Sequence, residues 1–508
     1  MFIRKKKNPS GKISVQVIDK SLGKYKVIKT IGCSQNSNEV KTLVEEAHQW
    51  IKNRQGILEF DFSGREKAEH LIENIEEITT IGTTLLLEKI YNSIGFNEIN
   101  DEIFKILVFS RIVFPNSKLK TTELLEKYYN TEINVYKIYR QLDKIHENEK
   151  EKIEHISYQH TLKILGGKIS IVFYDVTTLY FEIDREDEIR KRGFSKEGRH
   201  KNPQIVLGLL VSIDGYPLAY EIFEGNKFEG HTMLPVIEGF KKKYEIDKLV
   251  IIADSGLLSK DNIEELKSKG YDFIIGARIK NENKEIKNKE IKNKILSLKL
   301  NDGKSKIIKK DDNLRLVINY SSKRAKKDEF NRNRGFRRLE KQIKSGKLTK
   351  ENINNRGYNK YLKLEGNINI SIDKEKFEND AKWDGLKGYI TNTDLSEKEI
   401  VANYNQLWKI EKAFRISKHD LRIRPIYHRL QLRIETHIII SFVAYKLYKE
   451  LERQLKQLKA KISVEKAIEI AKTIYSIKIK LPEDDQYVTK NLFLTEHQKY
   501  LANLFNLK

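Results

Sequence analysis

Between residues 168 and 276 the chain alternates short apolar strands with helical spacing, and that order restricts the fold more than any other feature of the sequence. Period-two alternation marks half-buried strands, and a period near 3.6 marks amphipathic helices. Strands are expected near 169–175, 204–213, 217–223, 248–253 and 271–276, with helices near 231–243 and 259–269. Asp214-Gly215 joins two alternating runs, a strong hairpin signal. Three strands linked by hairpins, then helix, strand, helix, strand, describe a mixed sheet. Asp175 is expected to close the first strand and Asp254 the fourth. A third carboxylate, Glu411, lies far downstream on a helix. An aspartate ending a strand is often only a turn former. Three carboxylates on a buried sheet and a neighbouring helix can, however, hold a pair of hard divalent cations, which suits phosphodiester chemistry.

The helix around Glu411 is expected to run unbroken from Tyr404 to Lys418. At roughly 100° per residue, Tyr404, Trp408, Arg415 and Lys418 fall between about −20° and +60° of Glu411. They share its face. Leu407, Ile410, Phe414 and Leu421 form an adjacent apolar stripe, and Lys409 and Lys412 point away. An ordinary amphipathic helix with a Glu–Arg pair at i,i+4 is the plain alternative.

The spacing Tyr404-x2-Leu407-x3-Glu411-x6-Lys418 resembles the Tyr-Arg-Glu-Lys signature of DDE transposases from bacterial insertion sequences, in the group named after insertion sequence four. Leu407 departs from the family's arginine. Asp175 in Tyr-Asp-Val-Thr-Thr and Asp254 in Ala-Asp-Ser-Gly match the two family aspartates, and the stretch from Gly193 to Arg199 also resembles the family's central region. The resemblance covers roughly residues 80 to 450. It implies a ribonuclease-H-like α/β core, a mixed five-stranded sheet with helices, interrupted by a β-rich insertion and preceded by a helical DNA-binding domain. The first and fourth strands of that fold lie side by side, which would make Asp175 and Asp254 neighbours. The implied activity is binding of insertion-sequence ends, then cleavage and strand transfer with two Mg²⁺ ions, or Mn²⁺, on Asp175, Asp254 and Glu411. Tyr404 and Lys418 would contact phosphate, Arg415 would supply the charge lost at Leu407, and Trp408 would stack on a displaced base. The implied partners are double-stranded DNA with terminal inverted repeats, target DNA, and a second copy of the chain in the DNA complex. Two other classes compete: a nuclease or resolvase without strand transfer, and a weakened transposase that binds DNA as a repressor.

Composition agrees. At 508 residues the chain should hold more than one domain, and its net charge of +24 suits a polyanion. The single cysteine, Cys33, excludes an internal disulfide and a multi-cysteine zinc site. Arg4 to Lys7 precede no apolar stretch, so neither a signal peptide nor a membrane span is expected, and a cytoplasmic, nucleoid-associated protein is. The expected domains are a small β-plus-helix module (1–75), a helical DNA-binding domain (79–165), a ribonuclease-H-like core in two segments (166–278 and 396–460), an insertion between those segments (279–395) and a helical tail (461–508). The insertion is inferred because the gap from Asp254 to Glu411 far exceeds a loop. Lys118 and Lys120 in the helical domain, and Arg334, Arg337 and Arg338 in a basic helix of the insertion, are candidate phosphate contacts. The tandem Lys284–Asn293 repeat reads as an exposed extension or helix. His428 and His437 lack partners at zinc spacing and are expected to pair with carbonyls or shape the rim.

Overall fold

The computed structural model describes residues 1–20, 23–54, 72–195, 198–257, 259–280, 286–310, 313–346, 348–354, 357–365, 369–481 and 486–508. Lys196 and Glu197 of the central motif, Lys284 and Glu285 of the tandem repeat, and residues 55–71 of the expected first module lie outside them. The chain divides into two compact units, Met1–Ile78 with Ile477–Lys490, and Thr79–Ser476 with Asn491–Lys508.

The first unit begins with the antiparallel strands β1 (Phe2–Lys7), β2 (Ile13–Asp19) and β3 (Lys26–Ser34), followed by α1 (Ser37–Arg54). Val15 and Val17 of β2 meet Val40 and Ala47 of α1 in a small core. The alternation expected over the first thirty residues is thus real. Strand β4 (Ile75–Thr80) leads out of this unit.

The second unit opens with five helices: α2 (Gly82–Ile94), α3 (Glu102–Val113), α4 (Lys118–Tyr129), α5 (Val135–Asn148) and α6 (Lys150–Ile164). Asp101, Ser117 and Asn134 cap α3, α4 and α5 by accepting first-turn N–H groups. Then come β5 (Ile171–Tyr180), β6 (Gln204–Ser212), β7 (Pro217–Glu224), α7 (Met233–Lys243), β8 (Val250–Ala253), α8 (Lys260–Ser268) and β9 (Asp272–Ala277). Gly215, at φ +80°, makes the β6–β7 turn, a backbone region open to glycine at little cost. The order β7-β6-β5-β8-β9, with β8 and β9 parallel to β5, fits a ribonuclease-H-like core.

The remaining elements are α9 (Ile286–Ser297), β10 (Ser305–Lys309), β11 (Arg315–Tyr320), α10 (Ser322–Lys344), β12 (Leu362–Glu365), β13 (Asn369–Ile372), α11 (Lys374–Ala381), β14 (Leu386–Thr391), α12 (Glu397–Tyr404), α13 (Trp408–Arg415), α14 (Gln431–Gln457), α15 (Val464–Ala471), β15 (Tyr475–Lys480), β16 (Tyr487–Leu492) and α16 (Glu496–Phe505). Several expectations need correction here. The sheet has eight strands rather than five, because β14, β11 and β10 continue it beyond β9. The expected insertion therefore does not stand apart: Leu316, Ile318 and Ile390 carry the sheet's apolar alternation onward and join the same core as Ile251 and Phe273. Only α10, β12, β13 and α11 gather round a small core of their own, Leu339, Tyr361 and Leu362. The helices of 79–165 are no separate domain either, since Phe104, Leu107 and Ile138 share one core with α14 and the sheet. The tail is not purely helical, as it contains β15 and β16.

Strand β6 shows how the core is divided. Ile205, Leu207, Leu209 and Val211 enter one cluster, while Val206 and Leu210 enter the other. A strand presents alternate side chains to opposite faces, so an apolar run without polar gaps needs cover on both. Helices α13 and α14 contribute to the first face, and α7 and α8 to the second.

Candidate active site

The same alternation places the acids. On β5, Phe173 and Leu179 face the cluster that contains α13 and α14, whereas Val172, Tyr174 and Val176 face the other. Asp175 therefore points to the α13 side. On β8, Ile252 faces that side and Ile251 and Ala253 the opposite one, so Asp254, the next residue, also follows Ile252. The parallel register pairs Phe173 with Ile252 and Tyr174 with Ala253. Continued by one residue it sets Asp175 beside Asp254, at the ~4.8 Å spacing of adjacent strands.

Asp175 does not close its strand as expected. Strand β5 runs on to Tyr180, because the β-branched Val176, Thr177 and Thr178 keep pairing with β6 as far as Gln204. Only the parallel partner β8 stops, at Ala253. Asp175 thus lies at the edge where half of its pairing ends, and its Oδ1 accepts from the N–H of Val176 at 2.8 Å. Asp254 Oδ1 likewise accepts from the N–H of Ser255 at 2.7 Å.

Glu411 sits on α13, whose Ile410, Ala413 and Phe414 are buried in the shared core. Its carboxylate is exposed and makes no hydrogen bond or ion pair among the described residues. Tyr404, buried at the end of α12, donates its hydroxyl to Asp254 Oδ1 at 3.3 Å. Burial first, and then the negative charge of Asp254, hold that phenol protonated far above its ordinary range. Gly276 on β9 makes room for it, since a Cβ there would lie 2.4 Å from the Tyr404 hydroxyl oxygen. Lys387 of β14 lays its ammonium 4.5 Å from the centroid of the Tyr404 ring. Burial lowers its pKa and Arg324 adds to this, while Asp254 and Glu411 pull the other way. Two acids and one cation thus act on a common space. A fourth acid belongs here: a Cβ on Gly256 would lie 4.0 Å from both Asp254 Oδ2 and Glu229 Oε2.

Residues 166–447 match the family model described as the transposase DDE domain, more than half of the 508-residue chain. The chain belongs to the DDE-domain transposases. Comparison with curated proteins returns no match. Among solved structures, the piggyBac transposase synaptic complex with hairpin DNA is similar at 10% identity, covering 83% of this chain and 76% of that one, with a TM-score of 0.38. The Mos1 transposase paired-end complex with its left transposon end is similar at 11% identity, over 34% and 58% of the two chains, with a TM-score of 0.16. Both superpositions are too loose to carry an argument.

In this transposase the helix bearing Glu411 is not the unbroken α-helix expected. Tyr404 ends α12, Asn405–Leu407 form a 3₁₀ turn, α13 follows, and Ile416–Asp420 form a π-turn. A 3₁₀ residue turns roughly 20° further than an α residue, so Tyr404 is displaced by about 60° from its expected angle. That rotation carries Tyr404 inward, where its hydroxyl orients Asp254. Leu407 is buried with Ile410 and Phe414, as expected. Trp408 is 51% exposed, and it lines a groove with Lys409, Lys412 and Lys449 rather than sitting squarely over the acids. Arg415 is exposed and makes no ion pair with Glu411 among the described residues. Lys418, on the π-turn, lines a cavity with Thr177 and Phe414, two residues along β5 from Asp175.

The candidate phosphate contacts divide. Arg334, Arg337 and Arg338 are exposed on α10; Arg334 lies over the Phe330 ring, and the other two have no partner among the described residues. Lys120 is exposed and pairs with Glu123 at 2.6 Å. Lys118 is buried in the wall of a cavity at the α3–α4 junction rather than on the open surface. His437 donates from Nε2 to the carbonyl of Ile423 at 2.8 Å, the carbonyl pairing expected, and His419 is exposed.

Among the described residues no three acidic, histidine or cysteine side chains are drawn together as a finished metal cluster. Like charges repel, and Glu411 stands on a separate helix from the two aspartates. Among the described residues no helix is long and apolar enough to cross a membrane.

Proposed function

We propose that this transposase binds the ends of its insertion sequence and cuts and joins DNA strands there, with Asp175, Asp254 and Glu411 as the catalytic acids, in the manner of the group named after insertion sequence four. The observation that carries this reading is the parallel β5–β8 register. Extended by one residue, that register would bring the two aspartates side by side on the sheet face to which the Glu411 helix contributes, which supports this reading. The donor set is all oxygen, and neither Asp254 nor Glu411 is tied into an ion pair among the described residues, which suits a hard divalent cation. Magnesium or manganese held by these acids supplies Lewis-acid polarisation of a phosphodiester.

The chain's own groups do the rest. Tyr404 fixes the rotamer of Asp254 by donating to Oδ1, and its buried, firmly protonated phenol is poorly placed as a nucleophile. Lys387 brings positive charge toward Asp254 and Glu411, and Lys418 brings a second charge near the strand that carries Asp175, where a scissile strand needs neutralisation. Water attacks the phosphorus, the bond to the 3′ oxygen breaks, and the freed 3′-hydroxyl attacks target DNA with loss of a second 3′ oxygen. The exposed arginines of α10 hold the flanking backbone.

The test uses a linear DNA carrying the element's ends. Asp175→Ala should abolish Mg²⁺-dependent cleavage while end binding by gel shift stays within about threefold, a change below ~0.7 kcal/mol. Retained cleavage removes Asp175 from the site. Cleavage without joined product would instead indicate a nuclease or resolvase.

A further inference from the structure

A second basic site lies away from the acids, at the junction of α3, α4 and the segment that precedes α14. A cavity of about 280 Å³ opens there, lined by Arg111, Lys118, Arg422, Arg424, His428 and His437 among others. Among the described residues no aspartate or glutamate lines it.

Two of its cations are buried and incompletely paired. Arg111 is 5% exposed; it donates from Nη1 to the carbonyl of Arg422 at 3.2 Å and lies 3.5 Å from His437 Nδ1 through Nη2. Its Nε has no hydrogen-bond partner among the described residues. Lys118 is also 5% exposed, and among the described residues it makes no hydrogen bond or ion pair. The acid next to this region, Asp143, is already engaged by Arg433 at 2.7 and 2.8 Å. His437 cannot serve as an anion, and it spends Nε2–H on Ile423. Burying a cation without a counter-charge is costly, and two adjacent ones repel as well. Burial pulls Lys118 well below its ordinary pKa and Arg111 adds to this, while burial alone brings Arg111 down to about 10.

The first turn of α4 opens on the same cavity. Ser117 caps the N–H of Lys120, and residues 115–119 form one wall. A helix N-terminus favours negative charge, and here it is joined by an ammonium and a guanidinium with an unused N–H. A tetrahedral oxyanion accepts from several donors at once and supplies the missing charge.

We infer that this cavity is a phosphate-binding site, in which Arg111 and Lys118 hold the oxyanion from within and Arg422 and Arg424 close over it from the rim. The phosphate is either inorganic or a backbone phosphate of bound DNA. The first source is independent of the transposition chemistry, and the second rests on the DNA-binding reading above.

The full chain distinguishes these cases. Thermal unfolding is followed with increasing inorganic phosphate against chloride at matched ionic strength. A saturable rise in Tm is expected, and it should vanish in Lys118→Met, which keeps the buried stem. Arg422→Gln alters only an exposed side chain and should weaken the effect, so it serves if Lys118→Met fails to fold. In parallel, the salt dependence of duplex binding is measured for the wild type and both variants. A slope smaller by about one assigns the site to a DNA backbone phosphate, since each neutralised phosphate contributes ~0.9. An unchanged slope with a lost phosphate effect assigns it to free phosphate. No phosphate-specific rise in the wild type, together with unchanged salt slopes in the variants, overturns the proposal. None of these readings requires cleavage, so failure of the catalytic assignment would be visible separately.

Discussion

Asp254 depends on a chain of contacts that begins with an absence. Gly276 carries no Cβ, so Tyr404 can bring its hydroxyl over β9 and donate to Asp254. Gly276→Ala would place a methyl group 2.4 Å from that oxygen, inside any tolerable contact. Overpacking of this kind costs about 1–3 kcal/mol. We expect Gly276→Ala to lose stability in that range and to slow cleavage, both measured on the purified chain. The stability loss should shrink in a Tyr404→Phe background, where the clashing oxygen is gone. Equal losses in both backgrounds would show that the strain is backbone and not the Tyr404 contact.

At the scale of elements, α10 and the Glu411 helix behave in different ways. Helix α10 buries Gly335 and Leu339 and pairs Arg332 with Asp384, but leaves Arg334, Arg337 and Arg338 exposed, so the charge of those three is not consumed by the fold. Neutralising Arg334, Arg337 and Arg338 together to Gln should leave the melting temperature nearly unchanged. It should lower the salt slope of end-DNA binding by up to about three. An unaltered slope would mean that the helix faces only solvent. The Glu411 helix instead changes pitch twice, at Asn405–Leu407 and at Ile416–Asp420. The first of those changes decides that Tyr404 turns inward; Trp408, on the same α-helical turn as Glu411, lines a groove with Lys409, Lys412 and Lys449. Short 3₁₀ and π turns often mark functional sites, because they re-aim side chains without breaking the helix.

Across the second unit, α14 crosses the interior and carries charge with it. Lys446 is fully buried, donating to the carbonyl of Ser157 at 2.8 Å, and Glu450 accepts from Tyr216 at 2.8 Å. His160 sits against this network, 3.6 Å from Glu450. Burial, reinforced by Lys446, lowers its pKa from 6.5 to about 3 although Glu450 opposes the shift. The unfolded chain therefore binds the proton more readily between those values. Stability from a neutral His160 is complete above pH 6.5 and is lost as pH falls toward 3. Denaturant midpoints measured from pH 7.5 down to 5 should decline. His160→Gln should remove up to about 1.4 kcal/mol per pH unit from that slope. An identical slope in the variant would place the proton uptake elsewhere.

Much of this molecule is local and was readable without a structure. The strands near 204–213 and 271–276, the helices near 231–243 and 259–269, and the Asp214-Gly215 turn all follow from short-range periodicity and turn chemistry, and they appear within a few residues of where they were expected. The resemblance carried by Asp175, Asp254 and Glu411 was likewise enough to name the family that the comparison then showed. What the sequence could not reveal are decisions made by partners distant along the chain. Asp175 lies mid-strand because β6 outlasts β8 as a partner. The sheet has eight strands because β14 finds the free edge of β9. Glu229 and Lys387 reach the acids from segments with no motif of their own. Lys118 reads as a surface contact by its charge alone, yet it lies on the Leu125 face of α4 and is buried in a cavity wall shared with the segment before α14. Periodicity reports which side of an element is apolar; which neighbour covers that side, and which charge is sealed beneath it, is settled only when the core packs.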